Sequence, residues 1–136
     1  MILIVFRKTD LQIIAQHSRD LFPTESCGII LGKKQDNIKI VTKIFPTKNI
    51  LKSRTKYKIN PREQLNIYMK ADEISLEVLG YYHSHPFGDT KPSEMDIKEA
   101  NQPCCSYVIY SNEQDEFKSF HWNGSSFLDE ELRISN

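Results

Sequence analysis

Gly80-Tyr81-Tyr82-His83-Ser84-His85-Pro86-Phe87-Gly88-Asp89-Thr90-Lys91-Pro92-Ser93-Glu94-Met95-Asp96 is the stretch on which the reading of this chain turns. It enters as a strand, with Leu76, Val78 and Gly80-Tyr81-Tyr82 running into His83. It leaves as a helix start in which Ser93 is the N-cap. Between them lies a loop rich in Pro and Gly. Alternate residues of an extended segment face the same side, so His83 and His85 present both imidazoles together. Asp96 follows Ser93 by three and falls in the first turn of the helix. Two imidazoles and a carboxylate thus converge from a strand end and a helix start. That donor set, with a fourth position open, suits a catalytic zinc ion. A His-x-His pair alone would read as an incidental polar loop. Here it is joined to a Ser and an Asp at a strand-loop-helix junction, where sites are commonly built.

Working outward, short apolar runs and helical periods alternate. Ile2 to Phe6 reads as a strand. Thr9-Asp10 can cap a helix with Leu11, Ile14, Ala15 and Leu21 on its apolar face, ending at Phe22-Pro23. Ser26 to Gly32 reads as a buried strand, Lys33 to Asn37 as a turn, and Ile38 to Phe45 as a half-buried strand. Lys48 to Lys56 is a basic, flexible segment, and Tyr57-Lys58-Ile59 a short strand. Asn60-Pro61 opens a helix with cap and N1 proline, whose apolar face is Leu65, Tyr68, Met69 and Ile74. Glu77 to His85 is the central strand and Glu94 to Asn101 the third helix. Cys105 to Tyr110, Phe117 to Trp122 and Ser126 to Leu132 complete the sheet. Both periods are interleaved, so the fold class is α+β or α/β.

The 136 residues are expected to form one domain, residues 1–136, with room for a real core. Hydrophobic residues make up 39% and charged residues 26%, as in globular chains. Lys plus Arg equals Asp plus Glu at 18 each, so the zero net charge argues against nucleic acid and against an anionic membrane. Met1 to Phe6 is apolar but too short for a signal peptide or a span, and charges follow it at once. Cys27, Cys104 and Cys105 lack framework spacing, which suits a reducing, cytoplasmic setting.

His-x-His, seven residues, Ser, two residues, Asp is also the pattern of the JAMM (MPN-plus) metalloproteases, and His83, His85, Ser93 and Asp96 resemble it. That family carries a Glu far upstream, before a Cys-Gly or similar pair, and Glu25-Ser26-Cys27-Gly28 fits. Ser53, Tyr57, Ile59 and Pro61 look like the short bacterial and archaeal members. The resemblance covers roughly residues 1 to 122. It implies a curved mixed β-sheet flanked by helices, in the cytidine-deaminase-like architecture.

The resemblance also implies roles. His83, His85 and Asp96 would hold one zinc ion. Glu25 would be the catalytic acid-base, where local sequence alone would make it a surface charge. Ser93 would cap its helix and also stabilise an oxyanion. A Ser93 nucleophile lacks a basic partner, and Glu94 reads as a solvated first-turn acid. The implied reaction is zinc-dependent hydrolysis of a peptide or isopeptide bond after the C-terminal Gly-Gly of a ubiquitin-like or sulfur-carrier protein. Such a tail is narrow enough for a confined groove, and it could pair with a strand edge beside the site. The alternative is a non-catalytic MPN-type interaction module; such modules typically lose the ligands that are all present here. A weaker one is a metallohydrolase of small amides or cell-wall peptides.

The remaining chemically suggestive residues have plainer readings. His17 is expected to be exposed, His121 structural, and Cys27 a small buried residue. Pro103-Cys104-Cys105 does not match the Pro-Cys-x-x-Cys of zinc deaminases, and no His-x-Glu accompanies it. Lys48, Lys52, Arg54, Lys56 and Lys58 are a solvated loop that could guide an acidic partner.

Overall fold

A computed structural model describes residues 2–135. Seven strands and three helices are found there: β1 (Leu3–Arg7), α1 (Lys8–Leu21), β2 (Cys27–Gln35), β3 (Ile38–Thr47), α2 (Pro61–Glu73), β4 (Glu77–His85), α3 (Glu94–Glu99), β5 (Ser106–Ser111), β6 (Glu116–Trp122) and β7 (Phe127–Ser135). The strands follow one another in the order β1-β3-β2-β4-β5-β6-β7, and the sheet curls until β7 meets β1 in parallel. The expected curved, mixed α+β sheet is therefore present, with its two edges joined. Among the described residues no helix is long and apolar enough to cross a membrane.

Alternation along the central strands divides the core. Ile30 and Tyr82 face the barrel interior and α1, packing with Ile4, Phe6, Leu11 and Ile14. Ile29, Leu31 and Tyr81 face the other way, with Ile67 and Ala71 of α2. Gly28 has to be glycine, because a Cβ there would lie 2.2 Å from the Tyr82 ring. That ring's hydroxyl meets His17 Nδ1 at 2.7 Å. His17 is thus half-buried rather than exposed, and burial lowers its pKa.

Several boundaries differ from the sequence reading, each for a local reason. α1 starts at Lys8, with Arg7 as N-cap in place of Thr9-Asp10. The buried Asp10 carboxylate accepts from the Arg7 backbone N–H at 3.0 Å and from its guanidinium at 2.7 Å. The turn after β2 is only Asp36-Asn37, since Gln35 and Ile38 already pair, and Asp36 takes φ +57°. Tyr57–Ile59 is not a strand: one bridge joins Asn49 to Ile59, and the Asn49 side chain takes the Lys58 N–H that a ladder would have used. α3 stops at Glu99, because the Asn101 and Gln102 amides turn to the Tyr107 hydroxyl. α2 has the expected Asn60 cap, accepting from Arg62 N at 2.9 Å. Its buried stripe, however, is Ile67 and Ala71. Leu65 and Met69 lie 57% and 60% exposed, and Ile74 is exposed too. Both stripes are apolar at i,i+4; the small Ala71 lets the helix approach the sheet, and Tyr68 finds the Tyr81 hydroxyl only in this orientation.

One polar group lies deep in the barrel. Lys39 Nζ is 3.1 Å from Glu130 Oε2 and donates to Ser106 Oγ at 2.6 Å, and Ser106 and Ser119 both donate to Glu130. His121 Nδ1 lies 3.3 Å from Lys39 Nζ, which gives this histidine the structural place expected of it.

Candidate metal centre

β4 delivers both imidazoles. Cys27 pairs with His83, and Ser84 N donates to Ser26 O at 3.1 Å, so the register carried one step further sets Glu25 across from His85. Neighbours across an antiparallel pair share a face, which brings the carboxylate of Glu25 to the side of the histidines. α3 delivers Asp96 through its cap. Ser93 Oγ accepts from Asp96 N at 3.0 Å, while Asp96 Oδ2 accepts from Ser93 N at 2.9 Å. The reciprocal bonds of this capping box orient the carboxylate as well as start the helix.

The donor atoms converge. His83 Nε2 lies 3.1 Å from Asp96 Oδ1, His85 Nε2 lies 2.9 Å from Asp96 Oδ2, and the two Nε2 atoms are 3.3 Å apart. A tetrahedral ion about 2.0–2.2 Å from each ligand would hold them roughly 3.3–3.5 Å apart, within a few tenths of an ångström of what is seen. The protonation pattern points the same way. His85 Nδ1 sits 2.8 Å from the Asp89 carbonyl, which can only accept, so Nδ1 carries the hydrogen. Its Nε2 then faces a carboxylate and a second imidazole with a lone pair, unless a proton or a metal cation stands between them. Burial lowers the pKa of His85, but Asp96 and the Asp89 carbonyl outweigh it and raise it. Burial likewise would raise Asp96, yet the His83 and His85 imidazoles and the Ser93 N–H hold it well below the usual carboxylate range. A site that favours positive charge between neutral nitrogens and an ionised oxygen fits a divalent ion such as zinc.

Glu25 is 3% exposed, and its Oε1 is buried without a hydrogen-bond partner. Burial, and then the charge of Asp96, push its pKa up to about 8. A buried carboxyl left without a partner costs stability, and such perturbed groups cluster at functional sites. Cys27 does not compete as a nucleophile, because burial pushes its thiol up to about 12. Glu94 lies exposed at the start of α3, outside the cluster, as a solvated first-turn acid should.

A cleft of about 530 Å³ opens from Asp96, between the irregular segment around Leu51, Tyr57 and Ile59 and the segment around Gln102 and Tyr107. Among the described residues β3 pairs with β2 along Ile38–Thr47 but with β1 only at Ile38–Ile40, so its later half keeps one side unpaired. Asn49 and the Asp89 carbonyl escaped sequence reasoning. The second is a backbone group that no residue type announces; the first was signalled only by an Asn beside a bend-prone segment.

The model of the prokaryotic homologs of the JAB domain matches residues 8–123. The desampylase of Haloferax volcanii is 30% identical over 106 residues, 77% of this chain and 74% of its own length. The CysO-cysteine peptidase of Mycobacterium tuberculosis is 28% identical over 108 residues, 79% of this chain and 73% of its own. Among solved structures, a Desulfitobacterium hafniense protein superposes with a TM-score of 0.89 at 27% identity, covering 99% of this chain and 94% of that one.

Proposed function

Because the chain belongs to the prokaryotic JAB-domain family, within the JAMM/MPN group, we propose that it is a zinc-dependent peptidase or isopeptidase that cuts after the C-terminal Gly-Gly of a ubiquitin-like or sulfur-carrier protein. The single observation that carries this reading is the convergence of His83, His85 and Asp96 beside a buried Glu25 carboxyl with a free oxygen. The relatives act in that direction by name, one on cysteine joined to CysO and one as a desampylase.

His83, His85 and Asp96 would hold the metal. Zinc, when bound there, would lower the pKa of a water to about 7 and polarise the scissile carbonyl. Glu25 accepts the proton of the attacking water, whose oxygen bonds to the carbonyl carbon. When the C–N bond breaks, Glu25 returns that proton to the leaving amine nitrogen. A cation held by the cluster would lower the Glu25 pKa from about 8, toward the range in which one group can serve as both base and acid. Ser93 Oγ accepts from Asp96 N, which leaves its own hydroxyl hydrogen to donate to the developing oxyanion. The cleft beside Asp96 takes the tail, and glycine suits it because no Cβ meets the walls.

The decisive test is to incubate the protein with candidate carriers extended past Gly-Gly and locate the cut by mass. Cleavage directly after Gly-Gly, abolished by a chelator and restored by zinc, is the expected result. His83→Ala, His85→Ala and Asp96→Ala should each lose zinc, since three ligands leave no redundancy. Full zinc occupancy in Asp96→Ala would mean the ligand set is wrong. Less than about a tenth of an equivalent of metal after zinc loading of the unaltered protein would favour the interaction-module reading.

A further inference from the structure

The segment between β3 and α2 is irregular, yet it is tied down against the site. Asn49 is 5% exposed and its amide is fully used. Nδ2 donates to Glu25 O at 3.1 Å and to Lys56 O at 3.0 Å; Oδ1 accepts from Leu51 N at 3.0 Å and from Lys58 N at 3.1 Å. Glu25 N donates to Ser53 O at 2.8 Å. Both backbone polar groups of the acid-base residue are therefore bonded to this one strap. The strap also carries Tyr57, whose ring stacks on His83 with centroids 4.6 Å apart and planes 20° from parallel.

The two histidines are held differently. The His85 ring is fixed by the Asp89 carbonyl, whereas His83 Nδ1 is buried and has no partner. A metal-ligating imidazole is almost always oriented by a hydrogen bond from its second nitrogen. His83 has a ring face in that role instead.

We propose that residues 49–58 are a positioning element: Asn49 sets the backbone of Glu25, and Tyr57 fixes the His83 ring in place of the hydrogen bond that ring lacks. The Asn49 half rests on the reading of Glu25 as the proton carrier, while the Tyr57 half needs only metal binding. The strap makes one unit of the acid-base residue and one ligand, which arrive on different parts of the chain and share no direct bond.

The test pairs two kinds of variant. Co2+ titration of the metal-free protein, followed by the visible spectrum, reports on His83 without any substrate. Tyr57→Leu should weaken Co2+ binding by about 10–100-fold and alter its absorption bands, as loss of a ligand's supporting partner does. Tyr57→Phe keeps the ring face and should bind Co2+ within about twofold of the unaltered protein. Unchanged affinity and spectrum in Tyr57→Leu would overturn that half. Asn49→Asp keeps the size and both acceptor bonds but loses the donations to Glu25 O and Lys56 O. It should bind metal normally, keep KM, and lose roughly tenfold or more in kcat, because small misplacements of a catalytic group have such effects. Unchanged kcat with a lowered Tm, or a chain that does not fold, would make Asn49 a residue of the fold alone. If the unaltered protein binds Co2+ but cleaves no carrier, the functional reading fails separately. The Glu25 amide exchange rate in Asn49→Asp, expected to rise by about tenfold or more, then decides the Asn49 half, and an unchanged rate overturns it.

Discussion

At the scale of single residues, Glu25 carries the sharpest expectations. Glu25→Gln keeps size and hydrogen bonding but accepts no proton at neutral pH. It should bind zinc as the unaltered protein does, while kcat falls by about two to four orders of magnitude. Near-normal turnover would remove Glu25 from the reaction, and lost zinc would make it a ligand. A second expectation concerns the chelated protein. The folded pKa of Glu25 is raised to about 8 from an ordinary 4.5, so the stability linked to it is fully present below pH 4.5 and is lost as pH rises through about 8. Chelated Glu25→Gln should therefore match the chelated parent near pH 4 and exceed it near pH 9. The gap should be about 1–3 kcal/mol, the penalty of a buried unsatisfied group, read by denaturation at the two pH values. The Glu25 charge also helps raise His85, so Glu25→Gln removes that coupling too and the comparison reads the two groups together. The donors His83, His85 and Asp96 were legible in the sequence because strand alternation and an N-cap fix their directions. Glu25 was legible only through its resemblance to a family, since one Glu before a Cys-Gly pair gives no local hint of burial.

At the scale of elements, α3 shows one bond pattern serving two ends. Ser93→Ala should lower stability by about 1 kcal/mol through the lost cap. It should leave zinc bound and lower kcat by roughly ten- to a thousandfold if the hydroxyl meets the oxyanion. Lower stability with unchanged kcat would leave Ser93 a cap only. α2 makes the opposite point. Its sequence contains two apolar stripes, and periodicity cannot choose between them. The choice is made by Ala71, which is nearly fully buried, and by the Tyr68–Tyr81 hydroxyl contact, both matters of fit to a sheet assembled from distant residues. Ile67→Ala should thus destabilise by about 2–5 kcal/mol in urea unfolding. Met69→Lys should stay within about 0.5 kcal/mol. A large loss from Met69→Lys would place that side chain in the core.

At the scale of the molecule, the strand order and the pairing of β7 with β1 came from tertiary contacts invisible to local pattern, although the existence of each main strand did not. The same holds for Lys39: the alternation of Ile38, Ile40, Thr42 and Ile44 marks it as outward-facing, yet Ile38 and Ile40 lie exposed and Lys39 is buried. Its pairing with Glu130 across the barrel resolves the conflict. Glu130→Ala should cost about 3–5 kcal/mol, since it strands a buried ammonium. The double change Lys39→Met with Glu130→Leu should recover most of that loss, and failure to do so would show that the surrounding serines, not the charge pair, set the stability. Closure of the barrel also imposes a timetable. β1 can join β3 early in synthesis, but Leu3 waits for Glu131 and Phe6 for Ile134 before its second side is occupied. Such sequence-distant pairing raises contact order and slows folding. Until β7 emerges from the ribosome, the nascent chain shows a bare strand flank, and that interval is when a chaperone or a neighbouring nascent chain can reach it.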